Sequence, residues 1–253
     1  MSVYERFLNE QLVHIADRVL QKYPYVGFED REDYRLLKDM RLHFLVALSG
    51  TGKSTTLNEI ESIYPNSSCS LPTRREIADW VVIPLMQSIL KRESRPVTDR
   101  AERFYLTREF ARLYPEGFAL IYQWIRVDSR CPALLFSDGI RGQNEVMSAL
   151  NYSSLWRVYE LWTDPLIRLQ RLSNRGDPFD ETSQSFHLEY LPDVLQEQIR
   201  QAKGIQVSDQ ALAIMMEEAR NYGWEALRID HAQFKHIDTQ GLTPVAVAQR
   251  IVG

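Results

Sequence analysis

The expected fold of this chain depends on one stretch, residues 44–56, which reads FLVALSGTGKSTT. Its first five residues are apolar and predict a buried strand, and the residues that follow it are compatible with a helix. Between strand and helix lie two glycines, a lysine and several hydroxyl side chains. Backbone N–H groups at a helix N-terminus bind phosphate, a lysine adds positive charge, and a serine hydroxyl can bind Mg²⁺. The stretch therefore predicts a strand, an anion-binding loop and a helix, with a nucleotide as ligand.

The loop matches the pattern G-x-x-x-x-G-K-[ST] at every position except the first, where Ala47 replaces glycine. That position lies at the end of the predicted strand, so the departure is mild. A glycine turn with an exposed lysine is the alternative interpretation. Ser54 is the expected magnesium ligand within the loop. The residues expected to bind the nucleotide are Ser49, Gly50, Thr51, Gly52, Lys53, Ser54 and Thr55.

Length and composition restrict the class of protein. The 253 residues, 44% of them hydrophobic, can form one large α/β domain, which we expect over residues 41–253 after an N-terminal helical extension at residues 1–40. The net charge of −4 argues against a nucleic acid polymer or an anionic membrane as partner. Cys69 and Cys131 lack the spacing of a zinc site. The sequence shows neither a secretory signal nor a membrane-length apolar run, so we expect a soluble cytoplasmic protein.

Two arginines, Arg74 and Arg75, follow a short predicted strand at residues 66–71. Carboxyl ends of parallel strands form the ligand-binding edge of an open α/β sheet, so we expect this pair close to the loop. The pair could clamp an acceptor anion, while an ordinary helix start with Thr73 as N-cap is the alternative. On the next predicted helix Arg100 and Arg103 occupy neighbouring turns, and we take Arg100 as the candidate for facing the substrate.

A second informative stretch, residues 131–139, reads CPALLFSDG. Four apolar residues bounded by proline and glycine predict a strand that is buried on both faces. Asp138 at its end is expected to help hold Mg²⁺ or to accept a proton from the acceptor, although Asp-Gly is also a common turn. Arg141 and Glu145 follow, and Arg141 could pair with the acceptor anion while Glu145 orients it. A salt-bridged helix start is the alternative.

Three arginines, Arg168, Arg171 and Arg175, are separated by three and four residues. This spacing places them on one face of a predicted helix. Guanidinium groups so close together repel one another unless anions lie among them, which favours contact with a polyphosphate. A solvated face with Asp164 and Asp177 as partners is the alternative.

Elsewhere the apolar spacing predicts the remaining elements. The predicted helices are residues 3–21, 77–90 with an interruption at Pro84, 98–114, 118–127, 192–202, 210–222 and 243–251, and further strands are 156–162, 226–229 and 235–238. The charged residues 29–35 are expected to form a solvated helix or loop.

Together these features resemble the P-loop kinases that phosphorylate nucleotides, nucleosides and related metabolites. The resemblance rests on residues 49–55, 73–75, 138–141 and the three arginines, and it spans most of residues 41–180. Asp138, Arg141 and Glu145 form an Asp-x-x-Arg-x-x-x-Glu run. That run is similar to one in dephospho-CoA kinase-like proteins and some viral deoxynucleotide kinases, more than to the Asp-Arg dipeptide of thymidylate kinases.

The resemblance implies a three-layer α/β P-loop NTPase fold, with a parallel sheet of about five strands and helices on both faces. It also implies ATP and Mg²⁺ as cofactors. Lys53 and Ser54 would hold the ATP phosphates and Mg²⁺, and Asp138 would serve the site. In this resemblance the segment with Arg168, Arg171 and Arg175 is a lid; Arg168 would contact the nucleotide, and Arg171 or Arg175 would stabilise the transferred phosphoryl group.

We therefore expect an ATP-dependent phosphotransferase that moves the γ-phosphate to a small acceptor, either anionic or nucleoside-like. One alternative is a nucleotide hydrolase or switch, although no Asn-Lys-x-Asp guanine-reading motif is present. The other is a non-catalytic nucleotide-binding protein that uses its helical extension to bind a partner. The sequence leaves the acceptor and the oligomeric state open, a homodimer being one possibility.

Overall fold

A five-stranded, all-parallel sheet lies at the centre of the computed structural model, which describes residues 22–27, 32–174, 188–202 and 207–253. The strands of the described chain are β1 (Val26–Gly27), β2 (Tyr34–Leu36), β3 (Leu42–Ala47), β4 (Ser68–Ser70), β5 (Arg126–Asp128), β6 (Leu134–Ser137), β7 (Trp156–Trp162) and β8 (Phe234–Asp238). The central sheet has the order β4-β6-β3-β7-β8. The predicted strand of the glycine stretch is therefore the middle strand, as expected for a segment whose six residues are all buried.

The helices follow the strands in the alternating pattern of an α/β fold. They are α1 (Lys53–Ile63), α2 (Arg74–Ile77), α3 (Ile83–Ile89), α4 (Arg100–Leu113), α5 (Phe118–Tyr122), α6 (Gly142–Tyr152), α7 (Pro165–Ser173), α8 (Asp193–Gln201), α9 (Asp209–Tyr222) and α10 (Pro244–Val252). A π-helical turn, Ala78–Val82, joins α2 to α3 just before Pro84. Pro84 has no N–H to donate to the preceding turn, which accounts for the irregularity predicted there.

Side chains alternate along β3 between two separate apolar layers. Phe44 and Val46 belong to the larger core, which α2 to α6 cover, whereas Leu45 and Ala47 belong to a smaller core under α1 and α10. The sheet thus has helices on both faces, which confirms the predicted three-layer α/β architecture. A third apolar cluster joins α7, α8 and α9 to one another, with Leu169, Leu195 and Ile214 among its members.

A second, smaller sheet was not predicted from the sequence. β5 pairs antiparallel with both β1 and β2, in the order β1-β5-β2. The prediction of a continuous helix over residues 118–127 is therefore wrong, because α5 ends at Tyr122 and Arg126 begins a strand. Part of the charged segment 29–35 likewise pairs as β2. In both places backbone pairing with a distant segment outweighs the local helical spacing.

The other elements follow the sequence closely, with one exception. Residues 226–229 form no strand, and the N–H of Leu227 instead donates to the Glu160 carboxylate at 2.8 Å. Thr73 caps a helix, as its alternative interpretation predicted, and Asp99 and Thr243 cap two others; each accepts a backbone N–H of the first turn. The helix predicted at residues 3–21 lies outside the described residues. Within the described ranges, none of the helices combines the length and apolarity needed to cross a membrane.

Candidate functional site

The loop between β3 and α1 leaves the carboxyl end of the middle strand and leads directly into an eleven-residue helix. Gly50 and Gly52 have φ angles of 87° and 96°, which L side chains rarely adopt. Gly50 also lies against α7, where an added Cβ would come within 3.0 Å of the Arg168 carbonyl oxygen. The N–H groups of the first turn of α1 have no carbonyl partner within the helix. The loop therefore presents the positive end of a helix at the sheet edge where open α/β folds bind ligands.

Lys53 and Asp138 form an ion pair beside this loop, with 2.9 Å between Nζ and Oδ2. Asp138 follows β6, the neighbour of β3, and also accepts the backbone N–H of Arg74 at 3.2 Å. Burial lowers the pKa of Lys53, with the carboxylate of Asp138 opposing that shift. Burial would raise the pKa of Asp138, but Lys53, the Arg74 N–H and Arg141 together outweigh burial, so the pKa of this carboxyl group lies below its ordinary value. The structure thus brings together the predicted lysine and the predicted aspartate as a buried pair beside the loop.

Arg74 is engaged by a carboxylate within the protein. Its guanidinium group donates to Glu145 at 2.6 and 3.0 Å and to the Gly139 carbonyl oxygen at 2.8 Å. It also lies over the ring of Phe118, 3.7 Å from the ring centre. Glu145 additionally accepts the backbone N–H of Arg141 at 2.7 Å. Glu145 therefore holds the side chain of Arg74 and the main chain of Arg141, whereas the Arg141 guanidinium group has another partner.

That partner is Glu218 on α9, whose side chain is 0% exposed and which was not among the predicted site residues. Glu218 accepts the Ser49 N–H at 3.0 Å and the Ser49 hydroxyl at 2.6 Å. Three arginines surround the same carboxylate: Arg168 at 2.6 Å, Arg141 at 3.3 Å and Arg100 at 4.0 Å. Burial would raise the pKa of Glu218, but these arginines outweigh it and hold the pKa below its ordinary value.

The predicted arginine face on α7 divides between the interior and the loop. Arg168 is 3% exposed, pairs with Glu218, and donates from Nε to the Ser49 carbonyl oxygen at 2.9 Å. Arg171 donates to the Gly50 carbonyl oxygen at 3.1 Å and lines the cleft. The third member, Arg175, lies outside the described residues. Arg168 thus supports the loop from behind, and Arg171 lies at its open side.

These groups surround a cleft of about 660 Å³, within the size range of small-molecule sites. Among the described residues, seven basic side chains and a single acidic one, Asp138, line it, in a protein whose net charge is −4. The internal carboxylates of Glu145 and Glu218 only partly balance these cations. The cleft therefore favours a ligand with several negative charges. Its basic lining residues are Lys53, Arg74, Arg75, Arg100, Arg103, Arg141 and Arg171.

One wall of the cleft is largely apolar. Leu242, Pro244 and Val247 line it, next to the loop and the start of α1. The hydroxyl of Thr239, which follows β8, donates to the Thr51 carbonyl oxygen at 3.2 Å and so ties this wall to the loop. A ligand with phosphates at one end and an apolar ring at the other matches this distribution.

A magnesium ion suits the donor set at the loop. The hydroxyl of Ser54, an exposed residue at the start of α1, and the carboxylate of Asp138 both line the cleft. Mg²⁺ usually binds one or two protein oxygens and completes its shell with water and substrate phosphates. Within the described part of the chain, no three His, Cys, Asp or Glu side chains are grouped closely enough to form a protein-only metal site. The residues present therefore fit a metal that arrives with a phosphate ligand.

The structure brings nearly all the predicted site residues that it describes to one cleft, but they occupy different positions relative to it. Arg75, Arg100, Arg141 and Arg171 line the cleft, while Arg168 lies behind the loop. The residue that sequence reasoning missed is Glu218. The sequence contained an indication of its role. Glu218 lies four residues after Ile214, on the apolar stripe of α9, and a charged side chain buried there needs a partner.

No protein-family model matches the sequence, and no curated protein matches it. Several solved structures are weakly similar, among them the following two. One is an unliganded sugar kinase from a Janibacter species, with 14% identity over 83% of this chain and 91% of that chain and a TM-score of 0.37. The other is a candidate kinase from Chloroflexus aurantiacus, with 11% identity over 84% of this chain and 97% of that chain and a TM-score of 0.33. Neither similarity is high enough to support a function, so the site has to be interpreted by its own chemistry.

Proposed function

We propose that this protein is an ATP-dependent phosphotransferase of the P-loop type, which moves the γ-phosphoryl group to a small acceptor. One observation carries the proposal: a glycine loop and helix N-terminus at the carboxyl end of the middle strand open into a cleft whose described lining has seven basic residues and one acidic residue. Backbone N–H groups and basic side chains of this kind stabilise phosphates through position and charge. Phosphoryl transfer requires little else from a protein.

Each part of the cleft has a defined role in this proposal. The loop and Lys53 bind the ATP phosphates, the wall of Leu242 and Val247 covers the base, and Ser54 with Asp138 holds Mg²⁺. The metal, bound with ATP, supplies positive charge next to the phosphates. Because the pKa of Asp138 is lowered, its carboxylate is a weak base at neutral pH. This favours holding the metal and orienting the acceptor over removing a proton completely.

The acceptor would occupy the other side of the cleft, where α2 and α4 contribute Arg75, Arg103 and Thr107. Arg103 donates to the Val97 carbonyl oxygen at 3.0 Å and pairs with Asp79, which fixes its position. Arg171 contacts the loop at the Gly50 carbonyl oxygen and lines the cleft, and Arg175 follows it by four residues in the sequence. A group in this position can stabilise the charge that is transferred between donor and acceptor. An anionic or nucleoside-like acceptor fits these neighbours.

The experiment is a transfer assay with radiolabelled ATP, Mg²⁺ and a panel of nucleosides, nucleotides and small phosphorylated metabolites. We expect label in at least one acceptor, and Lys53→Met should abolish that transfer. Arg228→Met is the matched control, since Arg228 is exposed, pairs with Glu225 and does not line the cleft. Phosphate release without any acceptor would indicate a hydrolase, and ATP binding without turnover would indicate a binding protein. Unchanged transfer in the Lys53 variant would refute the role of the loop.

A further inference from the structure

Glu218 occupies a place where a carboxylate is costly. It lies on the stripe of α9 that also carries Ala211, Ile214 and Met215, all at most 1% exposed. An ionised group in such a position needs charge partners and hydrogen bonds. The partners come from four other elements: the β3–α1 loop, α4, the residue before α6, and α7. One buried side chain therefore connects the parts of the protein that form the cleft.

The contacts of Glu218 divide into two groups by distance. Ser49 and Arg168 bind it tightly, with distances of 2.6 Å to the Ser49 hydroxyl and to the Arg168 guanidinium group. Arg141 and Arg100, which also line the cleft, approach it at 3.3 and 4.0 Å. The tight contacts hold Ser49, at the start of the loop, close to α7. The longer ones hold two cleft arginines near each other while leaving them at the cleft surface.

We propose that Glu218 is a positioning residue, which holds the β3–α1 loop and turns Arg100 and Arg141 toward the cleft before a polyphosphate binds. The inference deepens the function proposed above but requires only that the cleft binds polyphosphate. A loop and long side chains that are already fixed lose less conformational entropy on binding, so the ligand binds more tightly. Without the central negative charge, the guanidinium groups of Arg100, Arg141 and Arg168 repel one another and leave this arrangement.

Removing Glu218 has two effects on polyphosphate binding, and they have opposite signs. The cleft gains one net positive charge, which by Coulomb attraction alone strengthens binding of an anion. The loop and the arginines lose their common anchor, which weakens it. A residue that matters only for stability would lower the melting temperature and leave the affinity of the folded protein unchanged. Weaker binding therefore indicates a positioning role, stronger binding a purely electrostatic effect, and unchanged binding a role in stability alone.

The experiment measures binding of inorganic tripolyphosphate by isothermal titration calorimetry, at a temperature where circular dichroism shows each variant to be folded. For Glu218→Gln we expect about tenfold weaker binding, as when about two fixed side chains become mobile. Glu218→Asp keeps the charge, shortens the side chain, and should also weaken binding. Glu217→Gln is the matched control, since the adjacent Glu217 pairs with the half-exposed Arg220 and does not line the cleft.

Weaker binding in both Glu218 variants, with the control unchanged, would support the proposal. Equal or tighter binding in Glu218→Gln, or unchanged binding in Glu218→Asp when only the latter folds, would overturn it. Absence of tripolyphosphate binding by the wild-type protein would also overturn it. If the wild type binds tripolyphosphate but transfers phosphate to no acceptor, the kinase proposal fails, and the role of Glu218 is still decided by these affinities. In an active enzyme, kcat should fall with Glu218→Gln and not with Glu217→Gln.

Discussion

Replacing Arg74 and replacing Arg75, two neighbouring residues of α2, should have different consequences, because the two side chains have different surroundings. The Arg74 side chain is 13% exposed and its partner Glu145 is 5% exposed, whereas Arg75 is exposed at the cleft. We expect Arg74→Met to destabilise the fold and Arg75→Met to affect the acceptor. The two variants remove the same charge from the same helix, so each is the control for the other.

The expected size of the Arg74 effect follows from its contacts. Removing one partner of a buried ion pair costs about 3–5 kcal/mol, because the other charge stays buried. Glu145 retains the Arg141 N–H at 2.7 Å, so we expect the lower end, about 3 kcal/mol. For a chain of this length that lowers the melting temperature by about 6–12 °C. Arg75→Met should stay within about 0.5 kcal/mol of the wild type.

Urea denaturation followed by circular dichroism measures both values, and a cycle with Glu145→Gln isolates the pair. The double variant Arg74→Met/Glu145→Gln should lose less stability than the sum of the single variants, by about 1–3 kcal/mol. In the transfer assay, Arg75→Met should raise KM for the acceptor. Wild-type stability in Arg74→Met, together with a raised KM, would show that Arg74 acts on the acceptor and would refute the structural assignment.

Three further predictions concern other parts of the fold. Gly139→Ala should cost about 1–3 kcal/mol, because its Cβ would collide with the Tyr122 hydroxyl; adding Tyr122→Phe should recover part of that loss, and no recovery would contradict the collision. Burial, together with nearby arginines, lowers the pKa of His43 from 6.5 to about 4. Between these two pKa values His43 binds a proton in the unfolded chain but not in the folded protein. The contribution of His43 to the free energy of unfolding is therefore fully present above about pH 6.5, and it falls by up to about 3 kcal/mol toward pH 4. Urea titrations of His43→Phe should lack this part of the pH dependence, and an identical slope would exclude His43 as its source. Arg171→Met and Arg175→Met should each lower kcat more than ATP affinity in steady-state assays, and full kcat in both would remove them from the transfer step.

The local sequence was sufficient to predict those elements whose structure depends on residues close to one another in the chain. The apolar run of β3, the glycines that follow it and the helix after them appear where residues 44–56 predicted them. The caps at Thr73, Asp99 and Thr243 are side chains that bind N–H groups of their own first turn. β5 was missed because a three-residue strand is defined by its partners, which precede it in the chain by about ninety residues or more. Its own spacing of apolar residues fits a helix as well.

The sequence by itself therefore determined the three-layer α/β architecture and the place of the loop, since both follow from apolar periodicity and from backbone conformations that only glycine readily adopts. Tertiary structure decided which arginine meets which carboxylate. Arg168 pairs with Glu218 and Arg74 with Glu145, across 50 and 71 residues of chain. A guanidinium group on a long, flexible side chain carries the same charge toward a phosphate or toward a carboxylate. For Arg168, the packing of α7 and α9 against the loop, which buries Glu218 between them, determines that it binds the carboxylate.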